Sequence, residues 1–318
     1  MNFKSFIKKK MPVSFIVKRQ RWKTLCLLKH EGKREFRRFS RAYAAPACSD
    51  QVQMESLLTF FVHQIEKGFS FDTYQYGRGR GALRNIADLS ARLIEADAQW
   101  RDKSIYKDMV LALGEYCRRH VAANQDIAFV TELFDETTKL DIVAASKKEY
   151  PSIQLSLSSK VDNATVPFKE LVERRHAVRA YSKKPVARVE LEKAIEMSLR
   201  TPSVCNRQPA RVRIFTDQQL ISKALKVQGG FGGYDIPPAL LLVTADLRAF
   251  MGANEHNEGY VDGGLFGMSL LYSLETCGLA ACPLNTMFSE EADEQTRSML
   301  AVPDNEVFIM YILSLIHI

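Results

Sequence analysis

The sequence predicts a helical first half joined to a second half of mixed helix and strand, and three observations carry that reading. Apolar residues recur at helical spacing between about residues 49 and 150. A polar stretch rich in Ser and Lys, Lys147 to Val166, is punctuated by Pro151 and Pro167 and has linker composition. Beyond it, short apolar runs of strand length are interspersed with helical patterns. The chain has 318 residues, 46% hydrophobic and 25% charged, so it has ample material for a core and is not expected to be disordered throughout. No apolar run approaches the roughly 20 residues needed to cross a bilayer, and a cytoplasmic protein is expected.

Taken in order, residues 1–48 form a basic arm. The first 41 residues hold 14 Lys and Arg against two acids, Glu31 and Glu35; that local +12 leaves −5 on the remainder of a chain whose total is +7. Such an arm reaches for the phosphates of a nucleic acid or of an anionic membrane surface. The plainer reading, and the favoured one, is a poorly ordered upstream segment, with Met11 an alternative start. Its composition also overlaps with an organelle transit peptide. Residues 49–150 read as a helical region. Ser49 or Asp50 caps a first helix carrying Leu57, Leu58, Phe61 and Ile65; a second runs through Leu83, Ile86, Leu89 and Leu93; a third through Ile105, Met109, Leu113 and Tyr116; a fourth over Ile127 to Leu140. Tyr74 to Gly81 is a loop rich in Gly and Arg, in which Gly77-Arg78-Gly79-Arg80-Gly81 could wrap a phosphate; a flexible, solvated loop is the preferred reading. Residues 151–167 are the linker, and residues 168–318 a second domain. There, helices are expected over Phe168–Val178 and Val189–Leu199, strands over Arg211–Phe215, Ala239–Thr244 and Val307–Leu313, and a buried apolar helix over Gly264–Cys277.

Two clusters carry chemistry. Arg174-Arg175-His176-Ala177-Val178-Arg179-Ala180-Tyr181 sets three guanidinium forks at a helix end, a geometry that matches phosphate oxygens, although a basic run there also simply complements the helix dipole. Thr201 to Pro209 is a loop stiffened by Pro202 and Pro209, in which Ser203, Asn206 and Gln208 offer short, directional donors and acceptors. The six cysteines include no C-x-x-C pair, so structural zinc has no support and no metal is expected. Gly229-Gly230-Phe231-Gly232-Gly233 precedes a strand instead of following one, and so fails the context test for a dinucleotide loop.

An R-R-x-x-R-x-aromatic segment followed about 25 residues later by P-S-x-x-N-x-Q-P resembles the opening of the FMN-dependent nitroreductase family. Asp235-Ile236-Pro237-Pro238-Ala239, Asp262-Gly263-Gly264 at the start of the apolar helix, and Gly278-Leu279-Ala280-Ala281-Cys282-Pro283-Leu284-Asn285 follow in the family's order. The resemblance covers about residues 168 to 313. It implies an α+β fold, a central sheet flanked by helices, forming an intertwined homodimer with FMN at the subunit interface. Carried over by position, Arg174, Arg175, His176 and Arg179 are phosphate candidates, with Ala177 standing where the family commonly has a hydroxyl. Asn206, with Ser203 and Gln208, lies along the flavin, and Pro283, Leu284 and Asn285 border the ring. The family continues past its last strand with basic residues; this chain stops at Ser314-Leu315-Ile316-His317-Ile318, so a C-terminally truncated phosphate site is expected. His63-Gln64-Ile65-Glu66-Lys67-Gly68 resembles a segment of longer nitroreductase-like proteins, some from bacterial polysaccharide gene clusters. Its plainer reading is a surface charge network with Gly68 as the helix cap.

The implied function is an oxidoreductase that passes hydride from NAD(P)H through FMN to a small organic acceptor, nitro, quinone or similar, by a ping-pong cycle. No catalytic acid, base or nucleophile is assigned. The alternative is a catalytically weakened protein of the same fold acting as a binding or assembly partner, in polysaccharide biosynthesis for example.

Overall fold

The structure is a computed structural model that describes residues 12–71, 73–148, 155–180, 182 and 184–315. The first eleven residues of the basic arm, Pro151, Tyr181 and residues 316–318 therefore lie outside the described residues. The chain divides into two compact units, one built from Phe39–Gln154 and the other from the chain before and after it.

The unit Phe39–Gln154 is helical: α2 (Gln51–Phe69), α3 (Arg80–Ala96), α4 (Ser104–Ala122) and α5 (Glu136–Ala145). Asp50 caps α2 by accepting from the Gln53 N–H, which is why the apolar period starts there. Leu58, Leu83, Ile86, Leu93, Leu113 and Trp100 are at 0% exposure and make the core. Three expectations change. The fourth helix does not run from Ile127 to Leu140: a single turn at Ala128–Thr131 is followed by a new start, because Asp135 accepts from the Thr137 and Thr138 N–H groups and so begins α5. The Tyr74–Gly81 loop is tied down: His120 Nε2 accepts from Gly77 N at 2.9 Å, Tyr116 Oη donates to Arg78 O at 2.7 Å, and Arg80 lies 4.2 Å from the Phe129 ring centroid. Gly79 takes φ +83° there, and a Cβ on it would stand 2.9 Å from Ile65. His63 and Glu66 face each other at 3.3 Å on α2, but Gly68 lies inside that helix, which Ser70 caps.

The other unit holds α1 (Val13–Ala42, its last residues beyond the boundary), α6 (Phe168–Arg174), α7 (Arg188–Ser198), α8 (Gln218–Gln228), α9 (Glu258–Thr276) and α10 (Glu290–Leu300). Four strands, β1 (Ala210–Phe215), β2 (Ala239–Asp246), β3 (Ala280–Asn285) and β4 (Glu306–Leu315), form one antiparallel sheet in the order β1-β2-β4-β3. The basic arm is thus helical from Val13, where the sequence suggests a poorly ordered segment. The strand period separates two cores. Leu240, Leu242, Cys282, Tyr311 and Leu313 meet α8 and α10 on one face; Leu241, Val243, Ala281, Ile309 and Ile312 meet α7 and α9 on the other.

A bulge beside Val243/Thr244 breaks that alternation in β4 and turns Ile309 and Met310 both toward α9. The helix receives them with glycines: a Cβ on Gly263 would lie 2.5 Å from Ile309, and one on Gly267 2.5 Å from Met310. Asp262-Gly263-Gly264 consequently sits one turn inside α9 instead of opening it. Pro283 is tolerated in β3 because that strand is at the sheet's edge.

Candidate functional site

The arginine cluster begins where α6 ends. Helical backbone stops at Arg174, four residues before the sequence period suggests, because the next residues are claimed by β3. Ala177 forms a parallel bridge with Ala281, and Val178 N donates to Ala281 O at 3.1 Å. The backbone at Ala177 and Val178 therefore runs beside the outer edge of β3, in parallel register and two residues before Pro283.

Arg174 is committed elsewhere. Its guanidinium donates to Asp162 Oδ1 at 2.5 Å, to Asn163 Oδ1 at 2.9 Å and to the Glu170 carboxylate. The Asp162 carboxyl is held below its ordinary range by that Arg174 hydrogen bond. Behind this network Lys160 pairs with Glu275, both side chains at 1% exposure, and Asn163 Nδ2 donates to Glu275 O and Oε1 at 3.0 Å each. Residues 157–163, assigned by sequence to the linker, are thereby locked onto the C-terminal turn of α9. His176 sits nearby: burial first, then the Arg175 and Lys160 cations, hold its imidazole below the ordinary value, against an opposing pull from Glu275. A neutral ring donates one directed N–H and accepts at the other nitrogen.

The 203–208 loop is built by different forces. Cys205, Asn206 and Gln208 all take positive φ, at 48°, 55° and 48°. Left-handed backbone at a non-glycine residue costs of order 1 kcal/mol or more and persists only where surroundings impose it. They do so here. The buried Asp262 accepts from Val204 N at 3.1 and 3.3 Å, Ser203 Oγ accepts from Gln208 N at 2.8 Å, and Gln208 Nε2 donates to Asn206 Oδ1 at 3.1 Å. Arg207 grips Glu255 through two hydrogen bonds of 3.0 and 2.9 Å, and its guanidinium draws the Glu255 carboxyl down to about 2. The loop leads into β1.

Its position matters, because β1 and β3 are opposite edges of the sheet. Three strand spacings of about 4.8 Å separate them, roughly 14 Å. Among the described residues no hydrogen bond joins the 203–208 loop to the 175–179 segment or to Pro283, Leu284 and Asn285. What does reach the end of β3 is the turn after α8: Gln228 Nε2 donates to Asn285 O at 3.0 Å, and Gly230 N donates to Gln228 Oε1 at 2.7 Å. Sequence reasoning missed Gln228 and the Lys160–Glu275 pair, and named Asp262 only as part of a family segment without giving it a role. Asp262 and Glu275 had a local signal, as acids inside an otherwise apolar helix.

A separate cleft of about 1000 Å³, lined by Lys160, Glu190, Lys193, Met197, Arg200 and Cys277, contains none of the predicted site residues. Among the described residues no group of three or more His, Cys, Asp or Glu is arranged to hold a metal ion, and no helix is long and apolar enough to cross a membrane.

The model of the nitroreductase family matches residues 172–241, which include both the arginine segment and the 203–208 loop. Solved structures similar to the chain include a nitroreductase family protein from Clostridium difficile, 22% identical over 48% of this chain and 85% of its own, with a TM-score of 0.41. An FMN-dependent nitroreductase from the same species is 18% identical over 46% of this chain and 86% of its own, also at 0.41. A hypothetical oxidoreductase of Bacillus subtilis, YcnD, is 24% identical over 47% and 65%, at 0.41. No curated protein matches the sequence.

Proposed function

We propose, from the nitroreductase-family segment in the second half of this chain, that the protein is an FMN-dependent oxidoreductase that passes hydride from NAD(P)H to an organic acceptor such as a nitro compound or a quinone. One observation carries the reading: Ala177 and Val178, in the midst of Arg175, His176 and Arg179, pair with Ala281 of the same edge strand that holds Pro283, Leu284 and Asn285. A dianionic phosphate and a flat ring suit that pairing. FMN, when bound, supplies the hydride chemistry itself.

The chain's own residues do the rest. Arg175 and Arg179 hold the phosphate through charge-assisted hydrogen bonds. His176, kept neutral near pH 7 by burial and two neighbouring cations, adds direction without adding charge. Backbone at Leu284 and Asn285 would border the ring, and the Gln228 contact holds that end of β3 in position. Ser203, Asn206 and Gln208 stand on the opposite sheet edge, so we assign their flavin contacts to a second copy of the chain. The exposed apolar surface of α9, Tyr260, Val261 and Leu265 at 40%, 53% and 49%, supports a homodimer. With FMN bound, nicotinamide donor and acceptor would use one ring face in turn, a ping-pong cycle for which no protein acid or base is assigned.

The visible spectrum of the purified protein tests this. Near-stoichiometric FMN that bleaches on addition of NADH or NADPH is the expected result. A colourless protein that cannot be reconstituted with FMN would sink the reading. It would favour the second one, a protein of this fold acting as a binding or assembly partner, which the missing hydroxyl at Ala177 and the engagement of Arg174 by Asp162 and Glu170 support.

A further inference from the structure

We infer that helix α1 is a membrane-surface element whose outward face lies in the headgroup layer of an anionic lipid bilayer. The helix is 30 residues long, about 45 Å at 1.5 Å per residue. Its half-buried positions are Thr24, Leu28, Glu31 and Glu35, spaced four, three and four apart, which defines one inward stripe. Glu35 fastens that stripe to its own unit: its Oε1 is 2.8 Å from Asn257 Nδ2 and 3.0 Å from His256 Nε2. At 100° per residue, the opposite face carries Phe15, Arg19, Trp22, Cys26, Lys29, Lys33, Arg37 and Ser40, with Phe36 at its margin.

The two residue types on that face point to one occupant. Phe15, Trp22 and Phe36 are 54%, 64% and 73% exposed, more aromatic surface than a solvated helix face has reason to show. Between them stand Arg19, Lys29 and Lys33 with the uncharged Cys26, and no acid; the two acids of the helix are both on the inward stripe. A duplex nucleic acid would take the cations but has no use for a ridge of Phe and Trp along the same face. A lipid headgroup layer takes both: aromatic rings settle at the boundary between acyl chain and headgroup, while Lys and Arg meet anionic phosphates. Charge complementarity favours the same occupant. Helix α1 carries ten Lys and Arg against its two acids, +8, whereas the chain after residue 41 sums to −5 and is repelled from an anionic surface. No helix of the described chain is apolar enough to span, so the contact is peripheral and salt-sensitive.

The chain has two tryptophans, and Trp100 is fully buried, so a change in emission on adding vesicles reports Trp22. The full-length protein is titrated with vesicles of phosphatidylcholine containing a minority of phosphatidylglycerol, with pure phosphatidylcholine vesicles, and with duplex DNA. Expected are co-flotation with the anionic vesicles only, a blue shift of Trp22 emission, and release by salt. Arg19, Lys29 and Lys33 replaced together by Gln should weaken binding about tenfold or more. Trp22→Ser should abolish the shift, and Phe15→Ser with Phe36→Ser should weaken flotation. No flotation with anionic vesicles overturns the inference. So does flotation without a Trp22 shift, or tighter binding to the duplex than to the vesicles. The wild-type shift requires no variant to fold, and it does not depend on flavin content.

Discussion

At the scale of single residues, adjacent arginines have opposite duties. Arg174 spends its guanidinium on Asp162, Asn163 and Glu170, whereas Arg175 has left the helix and leads into the backbone paired with β3. Arg174→Ala should therefore lower the thermal midpoint while FMN affinity per folded molecule changes little. Arg175→Ala should leave the midpoint nearly unchanged and weaken FMN binding about tenfold or more, the usual worth of a charge-assisted hydrogen bond. Isothermal titration with FMN beside a thermal melt separates them, and equal behaviour of the two variants would refute the assignment. His256 makes a second prediction. The Glu35 carboxylate raises its imidazole above the ordinary value. A raised histidine stabilises the folded contact fully below its unfolded pKa, and that contribution fades as pH climbs through the folded value. Protection of α1 amides from hydrogen exchange, corrected for intrinsic rate, should fall from about pH 6 to about pH 8. His256→Gln should flatten that dependence; an unchanged slope would mean that the Glu35 contact does not hold the helix.

Elements are fitted to one another by a few close contacts. The bulge in β4 turns two consecutive side chains toward α9, and the helix accepts them only because Gly263 and Gly267 lack a Cβ. Gly263→Ala should cost about 1–3 kcal/mol by overpacking against Ile309. Trimming the opposing side chain in the double variant Gly263→Ala/Ile309→Ala should recover part of that loss in chemical denaturation. The other seam is ionic. Lys160 and Glu275 are buried together, so Lys160→Met strands a carboxylate and should destabilise by about 3–5 kcal/mol. Adding Glu275→Leu should restore much of it, because the stranded charge is then gone. A single variant as stable as the double would show that Glu275 finds water or another donor.

For the whole molecule, sheet order governs the proposed assembly. With β1 and β3 at opposite edges, one copy presents the 175–179 segment at one edge and the 203–208 loop at the other. If two copies share each flavin, a charge on the exposed apolar face of α9 should cost both dimer and cofactor. Leu265→Lys, at a position 49% exposed in the single chain, should leave the monomer folded while shifting light scattering to monomer and lowering bound FMN. A Leu265→Lys dimer, or a monomer that keeps full FMN, would exclude this face as the place where the site is completed.

Local features of the sequence determined most of the elements. Apolar spacing marked α2, α3, α7 and α9; Ser49 or Asp50 was marked as the first cap of the helical unit, and it is Asp50; short apolar runs marked β2 and β4. These features are legible because each depends on residues a few positions apart, where helix and strand periods act directly. Asp135 restarting a helix was equally local and was outweighed by a run of apolar residues on both sides of it. Tertiary structure alone decided that Ala177 pairs with Ala281, that Arg174 is engaged by Asp162, that Lys160 is buried on Glu275, and that the two halves of the candidate site stand on opposite sheet edges. Two of these contacts join residues about a hundred positions apart, and which of many chemically equivalent partners is chosen depends on strand order and packing that no local period encodes.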